Sequence, residues 1–585
     1  MSSPEPPPAD HPPAPPDWTD PDVPLGAGID WSDPNSPLAR VYLTPAAVLA
    51  VALVAFAGWL VAGWPLMQTD IWGHLAYGRW AVEHRELPDR EPLNPYTDKA
   101  VPIFHSMWLS QAGYYLLYDL GGRAAGGDPA RRMAGGIEFV TAAHALVVVA
   151  ALGFLTLAYY RASGSMPLAV LGLVVAGLTT ISTLYVQRPQ AVGIACFAAV
   201  LAAVAGPVPP RRALVLVPAV FAFWVNAHGT FVVGLALIGL TAAGRAVEAA
   251  YADGRWSVRA AVADTGFRRL VLLLLLSAAA CCLNPYGPGV YRRVLAFSGH
   301  PVIALFDEWQ PLDFGGAGRG YLMYVGAVLA CIGVLAVSPR PLGPTGLLWT
   351  VTLGVWPLVQ QRSWVWWAAA LPCVLLPHLA SLARRSAEPT PPAVGSLRMT
   401  LAAGAVAVGT LLLTPAFKWA RTGSPRPLSV SAARGTPIDV AAALYGAPGP
   451  AFPERAAALA AVRDQLGAGP PGVVFATETA GEYLVWAAPP GSPITMFTHG
   501  HLFALDYWNE CRLVKAAGPG WWEALDRRRA NVLVIAAGVH PELSAAVRGH
   551  PDWAVALDEP AVPGRPLDNL LVAVRKSPFP DRDAP

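Results

Sequence analysis

Long apolar stretches separated by short polar turns fill most of the chain, which then changes character. From Thr44 to Leu66 almost every position is apolar, enough for a helix to cross a hydrocarbon layer ~30 Å thick. Ten further stretches of this kind fall near 136–158, 166–185, 190–206, 213–226, 229–244, 268–284, 319–338, 342–360, 363–382 and 398–416. The pattern predicts an α-helical polytopic membrane protein of about eleven transmembrane helices. The pair 213–226 and 229–244 is short enough to be one broken helix instead. Residues 106–120 (SMWLSQAGYYLLYDL) are apolar on one face and too short to span, which predicts a helix at the membrane interface.

Beyond about Lys418 the runs shorten. Those at 473–477, 483–487, 494–498, 531–537, 553–557 and 570–574 predict strands, with helices at 453–466 and 520–529 between them. Residues 418–585 therefore read as a small soluble α/β domain. Residues 1–40 are proline-rich and polar, which predicts a disordered tail and no cleavable signal peptide. The bundle takes 41–417, including a first large loop at 67–135.

Composition agrees with a lipid-embedded centre. Charged residues make up 14% of the chain and apolar residues 54%, where soluble proteins carry roughly 25% charged residues. A net charge of +2 without a long basic run gives no reason to expect nucleic acid. The six cysteines form neither a CxxC metal pattern nor a disulfide framework. No GxGxxG, P-loop or GxSxG sequence opens a helix of the C-terminal part, so no nucleotide cofactor is expected.

Basic residues mark cytoplasmic loops. Arg161, Arg211 and Arg212, the run from Arg245 to Arg269, Arg340, and Arg384 and Arg385 fall in alternate loops. Placing them inside predicts an inner-membrane protein with a cytoplasmic N-terminus and an extracytoplasmic C-terminal domain. The first large loop then lies outside despite Arg79, Arg85, Arg90 and Arg123, because long loops translocate largely regardless of charge. The turns QRPQ (187–190), WVNAHG (224–229), LNPYG (283–287), FDEWQP (306–311) and QQRSW (360–364) share that side with TDIWGHLAYGRW (69–80). Polar residues at helix ends either line a common cavity or simply mark where water begins.

Asp70 is the sharpest candidate. A carboxylate at a partly dry boundary suits proton abstraction from a hydroxyl. On a helix, Asp70, His74 and Tyr77 share one face, with Trp72 and Trp80 nearby as stacking partners for a sugar ring. The alternative is a helix N-cap flanked by membrane-belt tryptophans. Arg188 and Arg362 suit a bidentate phosphate site or snorkelling to lipid head groups. Asn226 reads as a turn-former or a substrate ligand, and His228 as ligand-facing or interfacial. Asn284 belongs to a turn in its own right. Asp307 and Glu308 form an acidic pair in a solvated loop, with a divalent cation shared with Asp70 as the other reading. His499 and His501 lack further ligands at zinc spacing.

The loop TDIWGHLAYGRWAVEHRELPDREPLNPYT after a first span, then QRPQ, WVNAHG, LNPYG, DEWQP, QRSW, GEYLVW and ITMFTHGHL in that order, resembles the GT-C-type bacterial membrane glycosyltransferases. The likeness covers roughly residues 44–575. It implies sugar transfer from a polyprenyl-phosphate-linked donor in the bilayer to an acceptor glycan, lipid or protein on the outer side. An acidic residue of the first outer loop then serves as base, which falls on Asp70, and Arg188 or Arg362 holds the donor phosphate. Many such enzymes carry two acidic residues together, whereas Asp70 stands between Thr69 and Ile71. A partner has to come from elsewhere, with Glu308 the candidate. The competing expectation is a non-catalytic transporter or envelope-assembly component. Scarce mid-span charge and the lack of an internal repeat argue against a conduit.

Overall fold

The computed structural model describes residues 42–67, 70–93, 103–206, 209–252, 254–314, 319–386, 395–446, 451–466, 471–490, 492, 494–495 and 504–579. The expected tail at 1–40 and the pair His499 and His501 lie outside these residues, as does part of the strand expected at 494–498.

All eleven apolar stretches carry a helix: Pro45–Gly63, Pro129–Ser163, Met166–Leu184, Gln190–Val204, Ala213–Ala227, Phe231–Ala250, Thr265–Ala280, Arg319–Val337, Pro344–Val359, Trp364–Ser386 and Leu397–Leu412. Among the described residues, six helices are long and apolar enough to cross a membrane. The number is seven if the bent pair Leu397–Leu412 and Pro415–Thr422 is one span. Gln190–Val204, Ala213–Ala227 and Pro344–Val359 are apolar but shorter. Helix starts follow local chemistry. Thr44 caps the first helix ahead of Pro45, and Asp128 caps the longest ahead of Pro129. In both, a side-chain oxygen satisfies an orphan N–H while proline fills a position that needs none.

The bundle core gathers around Tyr159, Phe197, Phe221, Trp224 and Trp366, all essentially buried. A second core does not stop at the domain boundary. It runs from the loop helix Ile71–His84, through Trp108–Ala125 and the first turns of Pro129–Ser163, into the C-terminal domain. The segment expected at the interface, 106–120, is thus wedged between two other helices. Gly121 and Gly135 permit this, because a side chain at either would strike the opposing backbone.

The C-terminal domain holds one five-stranded sheet, built from β1 (Val473–Ala476), β2 (Ile494–Thr495), β3 (Ala530–Ala536), β4 (Trp553–Asp558) and β5 (Leu570–Arg575) in the order β2-β1-β3-β5-β4. β1 runs parallel to β2 and β3, while β5 is antiparallel to β3 and β4. The strand expected at 483–487 is instead the second half of a helix, Glu478–Ala487. Five apolar residues read alike in a strand and in a buried helix. Topology decides between them, since parallel β1 and β2 need a crossover element to return the chain. The helices expected at 453–466 and 520–529 are found at Pro453–Leu466 and Trp521–Arg527.

The helix Glu478–Ala487 is also the docking element. Trp72 of the loop helix is fully buried, its ring 4.9 Å from Tyr483 and 6.4 Å from Trp486. Arg79 lies 4.4 Å over the Trp486 ring and donates to the Trp486 carbonyl at 3.0 Å. A second tie holds the linker. Arg426 donates to Glu138 at 2.5 Å and to the Gly63 carbonyl at 2.7 Å, while Leu66 and Ser431 share a backbone bond of 2.7 Å. Truncating a buried tryptophan costs roughly 3–5 kcal/mol. Trp72→Ala is therefore expected to lower the thermal unfolding midpoint of the purified protein and to make the segment around residues 425–435 more susceptible to protease; an unchanged melting curve and digestion pattern would rule out Trp72 as the docking anchor.

Candidate active site

Four turns and one helix end meet at a single pole of the bundle. Asp70 immediately precedes the loop helix, and its carbonyl accepts the His74 amide at 2.9 Å. Its side chain does not cap that helix. It forms an ion pair instead, with Oδ1 2.7 Å from Nε of Arg188, in the turn before Gln190–Val204. The Arg188 guanidinium also donates to Glu308 at 2.8 Å. Glu308 lies 3.9 Å from Arg362, whose guanidinium rests 4.7 Å over the Trp309 ring. The result is a line of alternating charge, Asp70, Arg188, Glu308, Arg362. The turns carrying its far end are sewn together: Gln361 donates its amide N–H to the Gln310 carbonyl at 2.9 Å and its side chain to the Asp307 carbonyl.

These residues line a cavity of about 830 Å³. Most of its wall comes from the bundle and its loops, with Phe104, Val233, Val294, Phe297, Trp356 and Trp366, and the C-terminal domain adds Glu478, Glu482, Trp508, Lys515 and His540. His74 and His228 face it as well. Gly78 brings the loop helix onto Trp108–Ala125 so closely that a side chain there would strike the Gln111 carbonyl. That approach sets the Gln111 amide nitrogen 3.2 Å from Nδ1 of His74. The other ring nitrogen, Nε2, faces Asp70 at 3.6 Å. His228 is tied through Nδ1 to the Thr230 hydroxyl at 2.8 Å.

Of the sequence candidates, Asp70, His74, Arg188, His228, Glu308 and Arg362 come together. Two do not. Trp72 is core, not a sugar platform, because its ring is consumed by packing against Tyr118, Tyr483 and Trp486. Asn226 is not in the cavity wall, because its amide is spent on the turn. It accepts from Trp108 at 2.9 Å and donates to the Ala222 and Leu283 carbonyls at 2.8 Å each. Tyr77 likewise turns away to Glu91, and Trp80 stacks on His84 at 4.3 Å. Asn284 closes its own turn, as its sequence suggested. Asp70 and Glu308 share a cation, but it is the guanidinium of Arg188. No group of three or more His, Cys, Asp or Glu suited to a metal occurs among the described residues.

No known protein-family profile matches the sequence, and no curated protein matches it. Among solved structures, the chain is similar to the Archaeoglobus fulgidus oligosaccharyltransferase tethered with an acceptor peptide. That match has 12% identity and a TM-score of 0.48, and covers 83% of this chain and 68% of that one. It is similar to the same oligosaccharyltransferase in complex with zinc and sulfate, at 12% identity and a TM-score of 0.44 over 87% and 71% of the two chains. It is also similar to ArnT from Cupriavidus metallidurans bound to undecaprenyl phosphate, at 14% identity and a TM-score of 0.43 over 92% and 98%.

The residues that sequence reasoning missed come from the C-terminal domain. Glu482 is 2% exposed, and its one local signal was a carboxylate inside the apolar run AGEYLVW. Burial, then the nearby Asp70 charge, push its carboxyl well above the usual range, against the opposing pull of Arg188. Glu478, one turn earlier, behaves oppositely. Burial raises it, but the hydrogen bond with His540 and the Lys515 ammonium outweigh burial and hold it at about 2. A carboxylate depressed in this way stabilises the fold above its unfolded value of 4.5, and the contribution disappears as pH falls through about 2. Acid unfolding followed by circular dichroism is expected to begin at higher pH in Lys515→Met; coincident titrations of variant and wild type would remove Glu478 from the acid response.

Proposed function

We propose that this chain is an inner-membrane glycosyltransferase that moves a sugar from a polyprenyl-phosphate-linked donor to an acceptor hydroxyl on the extracytoplasmic side, with Asp70 as general base. The observation that carries this reading is the convergence of Asp70, Arg188, Glu308 and Arg362, from four separate turns, on one cavity with an apolar and a charged wall. The apolar wall suits the first isoprene units of a lipid. The guanidinium groups suit a phosphate, and the carboxylate suits a hydroxyl proton.

The arginines support a cavity on the outer side of the membrane. Arg161, Arg212 and Arg245 lie at the ends of their helices remote from the cavity turns, where Arg245 pairs with Asp264 at 2.7 Å. If that pole is cytoplasmic, the cavity opens outward, the N-terminus is inside and all eleven apolar helices serve as spans. Residues 41–417 then form the membrane unit and 418–585 the extracytoplasmic domain.

In the reaction, the acceptor O–H proton passes to Asp70 as the acceptor oxygen bonds to the anomeric carbon. The bond from that carbon to the phosphate oxygen breaks, its electron pair leaves on the lipid phosphate, and configuration inverts. His74 sits beside the base, its Nε2 3.6 Å from the Asp70 carboxylate. Arg362 is the readier phosphate ligand, since Arg188 already serves two carboxylates while Arg362 has a 3.9 Å contact to Glu308 and rests on the Trp309 ring. General-base removal costs roughly 10²–10⁴-fold in rate. Asp70→Asn is expected to lose transfer by that factor while retaining membrane insertion and its melting curve, and Arg362→Ala is expected to raise the donor KM more than it lowers kcat. Full transfer by Asp70→Asn in an assay with a polyprenyl-phosphate sugar would exclude Asp70 as the base.

A further inference from the structure

The turn between Met166–Leu184 and Gln190–Val204 reaches the first loop at two points, through adjacent residues. Arg188 pairs with Asp70 at 2.7 Å. Gln187, one residue earlier, is fully buried, and its Oε1 accepts the backbone N–H of Met67 at 3.2 Å. A backbone N–H can only donate, so its partner settles which way the Gln187 amide faces. Met67 lies three residues before Asp70 in the sequence. Its neighbour Leu66 is held by the linker: it donates to the Ser431 carbonyl at 2.7 Å and accepts from the Ala433 amide at 2.9 Å.

We infer that Gln187 is a positioning residue for the transfer reaction: its bond to Met67 holds the start of the first loop so that the Asp70 carboxylate meets Arg188 at the cavity. The inference rests on the assignment of Asp70 as base. Gln187 is not in the cavity wall and acts through Asp70. A loop held only at Asp70 could pivot about that contact. The two side chains there are 30% and 33% exposed, and water weakens an ion pair so open. A second tie from the same turn removes the pivot. Pro189, the next residue, restricts the backbone of Arg188, so the two ties keep a set spacing.

Stability alone does not account for an amide at position 187. Its Nε2 is buried without a protein partner among the described residues, and a buried donor left unpaired is unfavourable. Methionine in its place would remove that atom but leave the Met67 N–H without its acceptor. The two effects on stability therefore offset. What methionine cannot do is hold Met67, so a loss of rate without a loss of stability is the mark of the positioning role.

The test uses the full-length purified protein. Hydrogen exchange over residues 64–71 is read without substrate, and transfer is read separately with a polyprenyl-phosphate sugar. Gln187→Met should speed exchange in this segment and lower kcat by roughly two- to tenfold, the worth of one neutral hydrogen bond. Donor KM and the melting curve should stay nearly unchanged. In an Asp70→Asn background the same substitution should cost nothing further, because the group it positions is gone. A merely structural role would add its loss to that of Asp70→Asn. Unchanged exchange, an unchanged kcat or an additive loss in the double variant each overturns the inference. Should Gln187→Met not fold, Gln187→Asn carries the same expectations for exchange and kcat, since its carbonyl stops one methylene short of Met67. Full transfer by Asp70→Asn sinks the assignment of the base and the inference with it. An unchanged kcat in Gln187→Met beside a crippled Asp70→Asn sinks the inference alone.

Discussion

Charges at the rim of an apolar bundle must be matched locally, and here they are matched in a line whose centre is Arg188. The Arg188 guanidinium lies within ion-pair distance of both Asp70 and Glu308, so it sets their positions relative to each other. It joins the first loop to the turn at 307–309, and through Glu308 it reaches the turn at 361–363. Counting the turn that carries Arg188, four segments distant in sequence are thereby fixed relative to one another without a common secondary-structure element. Apolar packing brings their helices together; the ion-pair line fixes the register of their ends.

Packing and polar placement support each other on the domain side too. Trp72 and Asp70 are two residues apart at the start of one helix, so they project in different directions. One direction is filled with aromatic rings from the docking helix, and the other opens on the cavity. Docking of the C-terminal domain through Trp72 therefore orients the carboxylate at position 70, and the same docking helix brings Glu482 into the cavity wall.

Much of this was legible in the sequence, for identifiable reasons. A run of some 20 apolar residues has few structural solutions, so each expected span is a helix in the structure. Asp70, Arg188, Glu308 and Arg362 stood out because charge beside an apolar helix needs a reason. Trp72 turns out to be core and Asn226 the turn-former of its two readings, because aromatic rings and amides serve packing and binding equally well and only the contacts separate the two uses. The strand expected at 483–487 failed because five apolar residues carry no period; the parallel pairing of β1 with its neighbours was what called for a helix. Glu482 was out of reach for a different reason. Its helix docks on the loop helix, where the contact between Arg79 and Trp486 spans 407 residues of sequence, and no local pattern encodes that.

The charge line also suggests how proton transfer and departure of the phosphate help each other in the proposed reaction. Asp70 and Glu308 against Arg188 and Arg362 sum to zero charge before a donor arrives. A lipid phosphodiester adds one negative charge, and breaking its bond to the sugar adds a second as the leaving group becomes a monoester. When Asp70 accepts the acceptor proton it loses its charge, and its hold on Arg188 weakens at the moment the phosphate gains charge. The guanidinium field is then available to the leaving oxygen, in the transition state more than in the ground state, which is the condition for acceleration rather than mere binding. An arginine that faced only the phosphate would bind substrate and product with less discrimination; one shared with the base responds to the proton.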